Sequence, residues 1–365
     1  MCQDHDASAG LVSRRSLMGA AAAVVGSAGL SVPGSPVASA EPAQVASGSA
    51  PANSLITLGT AAGPPLADRA GFATALKIGD GADAQVYVVD CGRGTAPLFK
   101  HAGLDIRRLR AMFVTHLHVD HIVDYPSFLL AYWWDGSIDR PLRVYGPGSA
   151  GGLQPGHDPL APVVGSVAGV DVAGEPGLAA LTDHILAGYA YGVNVHIRSL
   201  HRGDIRQLIQ AHEIAVPPGS DFTNTAPRMS PFPVYADETV SVTATLVPHH
   251  NVYPSFAFRF DLAGGGSVTF SGDTVKSDNL IELASGTDIL VHEAILEHED
   301  DYSRTSHTSA EDVGKVAAAA GARHLVLSHY YGAPADDTRW AEHIGWNYRG
   351  RLSIARDGDV FSLPI

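Results

Sequence analysis

The stretch that decides the fold is His116-Leu117-His118-Val119-Asp120-His121, with four metal-ligating side chains in six positions. It follows a short apolar run at 110–114 that reads as a strand. It precedes 122–134, which reads as a helix. The cluster therefore belongs in a strand-to-helix loop at the end of a sheet, where a rigid support carries functional side chains. Imidazoles two apart on an extended loop, His116 and His118, can converge on one ion, while Asp120 and His121 turn towards a neighbouring one. One of the eighteen histidines taken alone would read as a surface or core residue. The clustering reverses that reading and points to two adjacent metal sites.

Working outward, 54–58 and 85–89 are β-rich runs closed by the turns Leu58-Gly59-Thr60 and Asp90-Cys91-Gly92-Arg93-Gly94. A second series follows at 240–246, 255–261, 267–270, 289–292 and 324–328, with a helix expected over 309–320. Strands with intervening helices predict an α/β layered domain over 54–365. Between the halves, 148–236 is rich in Gly, Pro and aromatics (Tyr189, Tyr191, Phe222, Phe232, Tyr235) and reads as an insert with one helix over 178–197. No internal repeat at solenoid spacing is visible.

The chain has 365 residues, 45 % of them apolar, enough to bury a full core. Its formal charge is −14, and in the first forty residues Asp4 and Asp6 cancel Arg14 and Arg15. An acidic surface repels polyanions, so nucleic acid is not the expected partner. The N-terminus reads Ser13-Arg14-Arg15-Ser16-Leu17-Met18, then an Ala-rich apolar stretch, then Ala38-Ser39-Ala40. This resembles a twin-arginine signal peptide over 1–40, cleaved before Glu41. The resemblance implies the twin-arginine export machinery as a partner and an extracellular, cell-wall or periplasmic destination. The apolar run is too short for a stable membrane anchor. Residues 41–53 read as a flexible lead-in. Cys2 would leave with the signal, and Cys91 alone allows neither an intrachain disulfide nor a cysteine metal cluster.

Further motifs continue the pattern in order. They are Asp90 in Val88-Val89-Asp90-Cys91-Gly92, His249 and His250 in Val247-Pro248-His249-His250-Asn251 ahead of Pro254-Ser255-Phe256, Ser271-Gly272-Asp273-Thr274, and Ser328-His329. Together with the histidine run they resemble the metallo-β-lactamase superfamily from Ser54 onward, the insert excepted. The resemblance implies an αββα sandwich, two β-sheets flanked by helices. It implies that His116, His118 and His249 hold one ion, that Asp120, His121 and His329 hold the other, that Asp273 bridges them, and that Asp90 orients the histidines. Spacing to the Pro-Ser-Phe block favours His249 over His250, and sequence leaves that choice open. Two divalent ions are implied, with Zn²⁺ the default and Mn²⁺ or Fe²⁺ acceptable to the same ligands. Two ions about 3.5–4 Å apart lower the pKa of a bridging water and clamp the attacking and leaving oxygens, so hydrolysis follows.

Within the superfamily, Leu290-Val291-His292-Glu293-Ala294 and Ser306-His307-Thr308-Ser309-Ala310 resemble motifs of ribonuclease Z. The chain is similar to that enzyme and to arylsulfatase-like and phosphodiesterase-like hydrolases. The resemblance implies that His307 protonates the departing oxygen while Glu293 orients and charges it, with Asp120 the third catalytic residue. The plainer alternative is that Thr308 or Ser309 caps a helix whatever His307 does. Ribonuclease Z carries its tRNA-gripping arm between the third histidine and the bridging Asp, an interval of only 24 positions here, so the arm is absent. The long interval, 128 positions, lies between His121 and His249, and its insert reads as a lid, with loop padding or a homodimer contact as alternatives. The resulting expectation is an exported dinuclear hydrolase acting by hydroxide attack on a small phosphodiester or sulfate ester. A lactonase or other carboxyl-ester or amide hydrolase, a ribonuclease Z-like RNA endonuclease, and an iron-dependent redox enzyme of the same fold are the alternatives. A zinc β-lactamase is disfavoured, because those enzymes lack the bridging Asp.

Overall fold

The central strands form where apolar residues run almost unbroken, because both faces of each sheet are covered there, while strands nearer the edges alternate or carry polar positions. The first six, β1 (Ser54–Gly59), β2 (Ala73–Ile78), β3 (Gln85–Val89), β4 (Leu109–Phe113), β5 (Leu142–Pro147) and β6 (Ile209–Ile214), pair in sequence order. The next seven do the same: β7 (Phe232–Ala236), β8 (Val240–Leu246), β9 (Phe256–Leu262), β10 (Ser267–Phe270), β11 (Ile289–Ala294), β12 (His324–Tyr330) and β13 (Arg351–Ile354). The last strand, β14 (Val360–Ser362), returns to the first sheet and pairs antiparallel with β1. These features come from a computed structural model that describes residues 52–154, 176–331 and 337–363. The segment read as an export signal, most of the expected lead-in and 155–175 of the insert lie outside the described residues.

The period of two along each strand sorts side chains into three apolar layers. In β3, Val86 and Val88 face the helices Thr95–His101 and Tyr125–Asp135, while Tyr87 and Val89 face the second sheet. In β11 and β12, Ile289, Val291 and Val326 point to the first sheet. Leu290, Leu325 and Leu327 point outward, to the helices Asp278–Leu283 and Ala310–Ala320. The result is the expected αββα sandwich. Its central layer is aromatic, with Phe113 packed edge-on to Phe260 at 5.0 Å and to Phe258 at 5.7 Å. Each such fully buried ring stabilises the fold by about 1.5–3 kcal/mol. β3 to β6 and β10 to β13 run parallel.

The region read as an insert contributes to both sheets. β6 extends the first sheet in parallel beyond β5, and β7 pairs antiparallel with β8 at the edge of the second. The single helix expected over 178–197 is two, Leu178–Gly188 and Ala190–Leu200. The break falls at Tyr189, whose ψ is 1° and which follows Gly188, a residue with weak helix preference. No helix among the described residues is long and apolar enough to cross a membrane.

Candidate metal centre

Loops at the ends of β3, β4, β8 and β10, with the last residues of β11 and β12, meet at one site. Asp90, just after β3, is fully buried at φ 58°, a left-handed conformation that Asp tolerates better than most side chains. Its carboxylate accepts from the Thr115 backbone N–H and the Thr115 hydroxyl, each at 2.8 Å, and from His121 Nδ1 at 2.9 Å. Since a carboxylate accepts only, the His121 proton sits on Nδ1 and Nε2 presents a lone pair to the site. The next loop is latched by backbone bonds, Cys91 N–H to the His121 carbonyl at 2.7 Å and Asp124 N–H to the Cys91 carbonyl at 2.9 Å. Gly92 permits that approach, for a Cβ there would stand 2.2 Å from the Asp120 carbonyl oxygen.

The seven expected ligand residues fall into two groups, His116, His118, His249 and Asp273 on one side, and Asp120, His121 and His329 on the other. Within each, the potential ligand atoms lie within 4.8 Å of one another. Asp273 faces both. Its Oδ1 is 3.4 Å from His121 Nε2 and 3.2 Å from His329 Nδ1, and its Oδ2 is 3.8 Å from His249 Nε2 and 3.9 Å from His116 Nε2. His121 Nε2 lies 3.0 Å from His329 Nε2, and His329 Nε2 lies 3.3 Å from Asp120 Oδ2. His116 Nε2, His329 Nδ1 and Asp273 Oδ1 are buried without a hydrogen-bond partner. Buried lone pairs converging on one another beside a carboxylate are costly unless a cation sits among them, so the donor set fits divalent ions.

The electrostatics agree. Burial holds His116 far below and His118 below the usual histidine range, and brings His249 down to about 3, so all three are neutral, the ligating form. For Asp120, burial works against ionisation, but the His329 hydrogen bond and the His121 charge outweigh it and keep it a carboxylate. His121 is the exception. Burial would lower it, yet Asp273 and Asp90 push it well above the usual range, which marks a surplus of negative charge calling for a cation or a proton.

His249 and His250 part company. His249 is fully buried and its Nδ1 donates to the Ser306 carbonyl at 2.8 Å, turning Nε2 towards His118 Nδ1 at 3.2 Å. His250 is exposed at φ 46°, with Nδ1 2.9 Å from the Thr305 hydroxyl.

Glu293, one residue before the end of β11, is almost fully buried. Its Oε1 accepts from the Thr308 N–H at 2.8 Å, and its Oε2 lies 3.1 Å from His307 Nδ1. The His307 ring is 5.2 Å from that of His249 and 6.3 Å from that of His329. Burial pulls its pKa down, but the Glu293 charge and hydrogen bond win and raise it to about 9. The helix cap is a separate matter, made by Ser309, whose side chain accepts from the Asp312 N–H. Two contributors escaped the sequence reading. Phe72 packs its ring 5.6 Å from His121 and 5.5 Å from His329, and Gly63 donates its N–H to Asp120 Oδ2 at 2.9 Å. The Gly63-Pro64-Pro65 turn after β1 was the available signal.

The family model described as Beta-lactamase superfamily domain matches residues 182–330. Ribonuclease Z of Mycobacterium bovis is 28% identical over 318 residues, covering 82% of this chain and 94% of the relative. Human tRNase Z, short form, has a similar structure with a TM-score of 0.56 at 22% identity, covering 86% of this chain and 100% of that one. The metallo-beta-lactamase fold protein YhfI from Bacillus subtilis has a TM-score of 0.55 at 19% identity, covering 85% and 98%.

Proposed function

We propose that this chain, which has the metallo-β-lactamase fold and ribonuclease Z homologues, is an exported metal-dependent hydrolase of a small phosphodiester or sulfate ester. The observation that carries the reading is the Glu293–His307 pair, 3.1 Å apart, set beside the seven-residue centre. His116, His118 and His249 would hold one divalent ion and Asp120, His121 and His329 the other, with Asp273 between; imidazoles and carboxylates suit Zn²⁺, and also Mn²⁺ or Fe²⁺. Such ions, when bound, supply Lewis acidity and an acidified water.

The chain's own residues do the rest. Asp90 fixes the tautomer and direction of His121. Glu293 holds the His307 proton at Nδ1, which leaves Nε2 to deliver a proton to the departing oxygen. An alkoxide leaving group gains most from that proton, which is why an ester is favoured over a more labile bond. Export is supported by the pattern over 13–40, and the −14 charge and the 24-position interval after His249 weigh against an RNA substrate. The relatives' name keeps an RNA endonuclease as the second reading.

The test is turnover of the metal-loaded protein on bis-p-nitrophenyl phosphate, p-nitrophenyl sulfate, a lactone, nitrocefin and a short RNA, with Asp273→Ala as control. The expected result is hydrolysis of the phosphodiester or the sulfate, abolished in the control. Full activity of Asp273→Ala, or turnover of RNA alone, overturns the proposal. Export is tested by replacing Arg14 and Arg15 with Lys and measuring the secreted fraction, which should collapse.

A further inference from the structure

A cleft of about 470 Å³ opens beside the Asp120 edge of the centre, bordered by His118 and Asp120 themselves. Its other walls are apolar: Pro64, Pro65 and Leu66 from the loop after β1, and Leu117, Val119 and Val123 from the metal-binding loop. Val119 is 75% exposed and Val123 51%. Apolar side chains interleaved with ligand residues and left in water mark a surface that something apolar covers. The volume is that of a small-molecule site, which lies in the range of roughly 300–1,000 Å³.

The wall is set in advance. Gly63, at φ +66°, ties the loop to Asp120 Oδ2 through its N–H at 2.9 Å, and Pro64-Pro65 then restrict the backbone that follows. A rigid apolar wall loses little freedom when it is covered, which favours binding. The cationic side chain among the described lining residues is Arg93, and its guanidinium donates to the carbonyls of Leu66 and Arg69. A cleft built for a polyanion would present its cations instead. Neither Glu293 nor His307 borders it, so the group leaving beside His307 and the group in the cleft are different parts of the substrate.

We infer that this cleft binds the retained substituent of the substrate, and that the substituent is apolar, an aryl or bulky alkyl group. The inference rests on the hydrolase reading above and narrows it, since a sulfate monoester has no retained substituent. The substrate class becomes a phosphodiester with one apolar ester arm kept on phosphorus and the other arm expelled past His307.

Two diesters that share a leaving group test it, p-nitrophenyl methyl phosphate and p-nitrophenyl 2-naphthylmethyl phosphate. The naphthylmethyl ester should show a kcat/KM about tenfold or more above the methyl ester, and Leu66→Glu and Val123→Glu should erase that ratio through KM. Independently of turnover, uncharged 2-naphthalenemethanol should bind the wild-type protein by fluorescence titration, with binding lost in both variants. If a Glu variant does not fold by circular dichroism, Leu66→Ala and Val123→Ala carry the same comparison with smaller losses. Equal kcat/KM for the two diesters without alcohol binding overturns the inference while leaving the hydrolase reading standing. Alcohol binding without turnover of either diester keeps the cleft and removes the hydrolase reading.

Discussion

Replacing Glu293 with Gln keeps the shape of the side chain, and the amide oxygen can still accept from the Thr308 N–H, now made at 2.8 Å by Oε1. What disappears is the charge 3.1 Å from His307 Nδ1. That charge and its hydrogen bond lift His307 from 6.5 to about 9 against the opposing pull of burial. Without them only the Asp273 charge still opposes burial, and the pKa falls back towards the ordinary 6.5. The sign follows directly: a histidine acting as an acid works below its pKa, so activity is lost as pH rises through about 9 in the wild type and through about 6.5 in the variant. At pH 8 the protonated fraction drops from about 0.9 to about 0.03, roughly a thirtyfold loss in rate where protonation of the leaving group limits the reaction. Bound cations lower both values alike, so the interval of about 2.5 pH units between the variants is the quantity to read. The assay is kcat/KM of the metal-loaded protein from about pH 5 to about pH 10, on a p-nitrophenyl diester and on a diester with an alkyl leaving group. The alkyl ester should show the full shift, and the aryl ester, whose product needs little protonation, a much smaller loss. An alkaline limb that stays in place, or equal losses on the two esters, would refute the general-acid assignment.

Further outcomes follow from the same geometry. His249→Ala should lower bound metal by about one equivalent by elemental analysis, whereas His250→Ala, whose imidazole goes to Thr305, should leave it intact; the reverse would reassign the ligand. Asp90→Asn puts an amide NH2 where Oδ2 accepts from His121 and the Thr115 hydroxyl and should weaken metal affinity about 10–100-fold in chelator competition, with unchanged affinity counting against the orienting role. Gly92→Ala forces a Cβ to 2.2 Å from the Asp120 carbonyl oxygen and should cost roughly 3 kcal/mol in urea unfolding. A change within error would mean that the two loops separate freely.

The sequence by itself determined the chemistry-bearing loop and most strands around it, because both signals are local. Ligand side chains crowded between 116 and 121 have no ordinary structural reason; 240–246 alternates apolar and polar residues with a period of two, and 289–291 and 325–327 are apolar on both faces because the sheet there lies between two layers. It also supplied Glu293 and His307 as a pair, through motifs that state residue type and order.

Other features were decided only in three dimensions. β6 and β14 are edge strands with half-exposed or polar positions, and nothing in their own pattern says which sheet they join; hydrogen bonds to β5 and β1 supply that answer. The choice between His249 and His250 depends on which imidazole the turn after β8 buries, and adjacent residues of the same type cannot be told apart by composition. The apolar cleft is the clearest case. Pro64, Pro65 and Leu66 stand more than fifty positions from Val119 and Val123 in the chain, and only the folding of the β1 loop against Asp120 makes them two walls of one site.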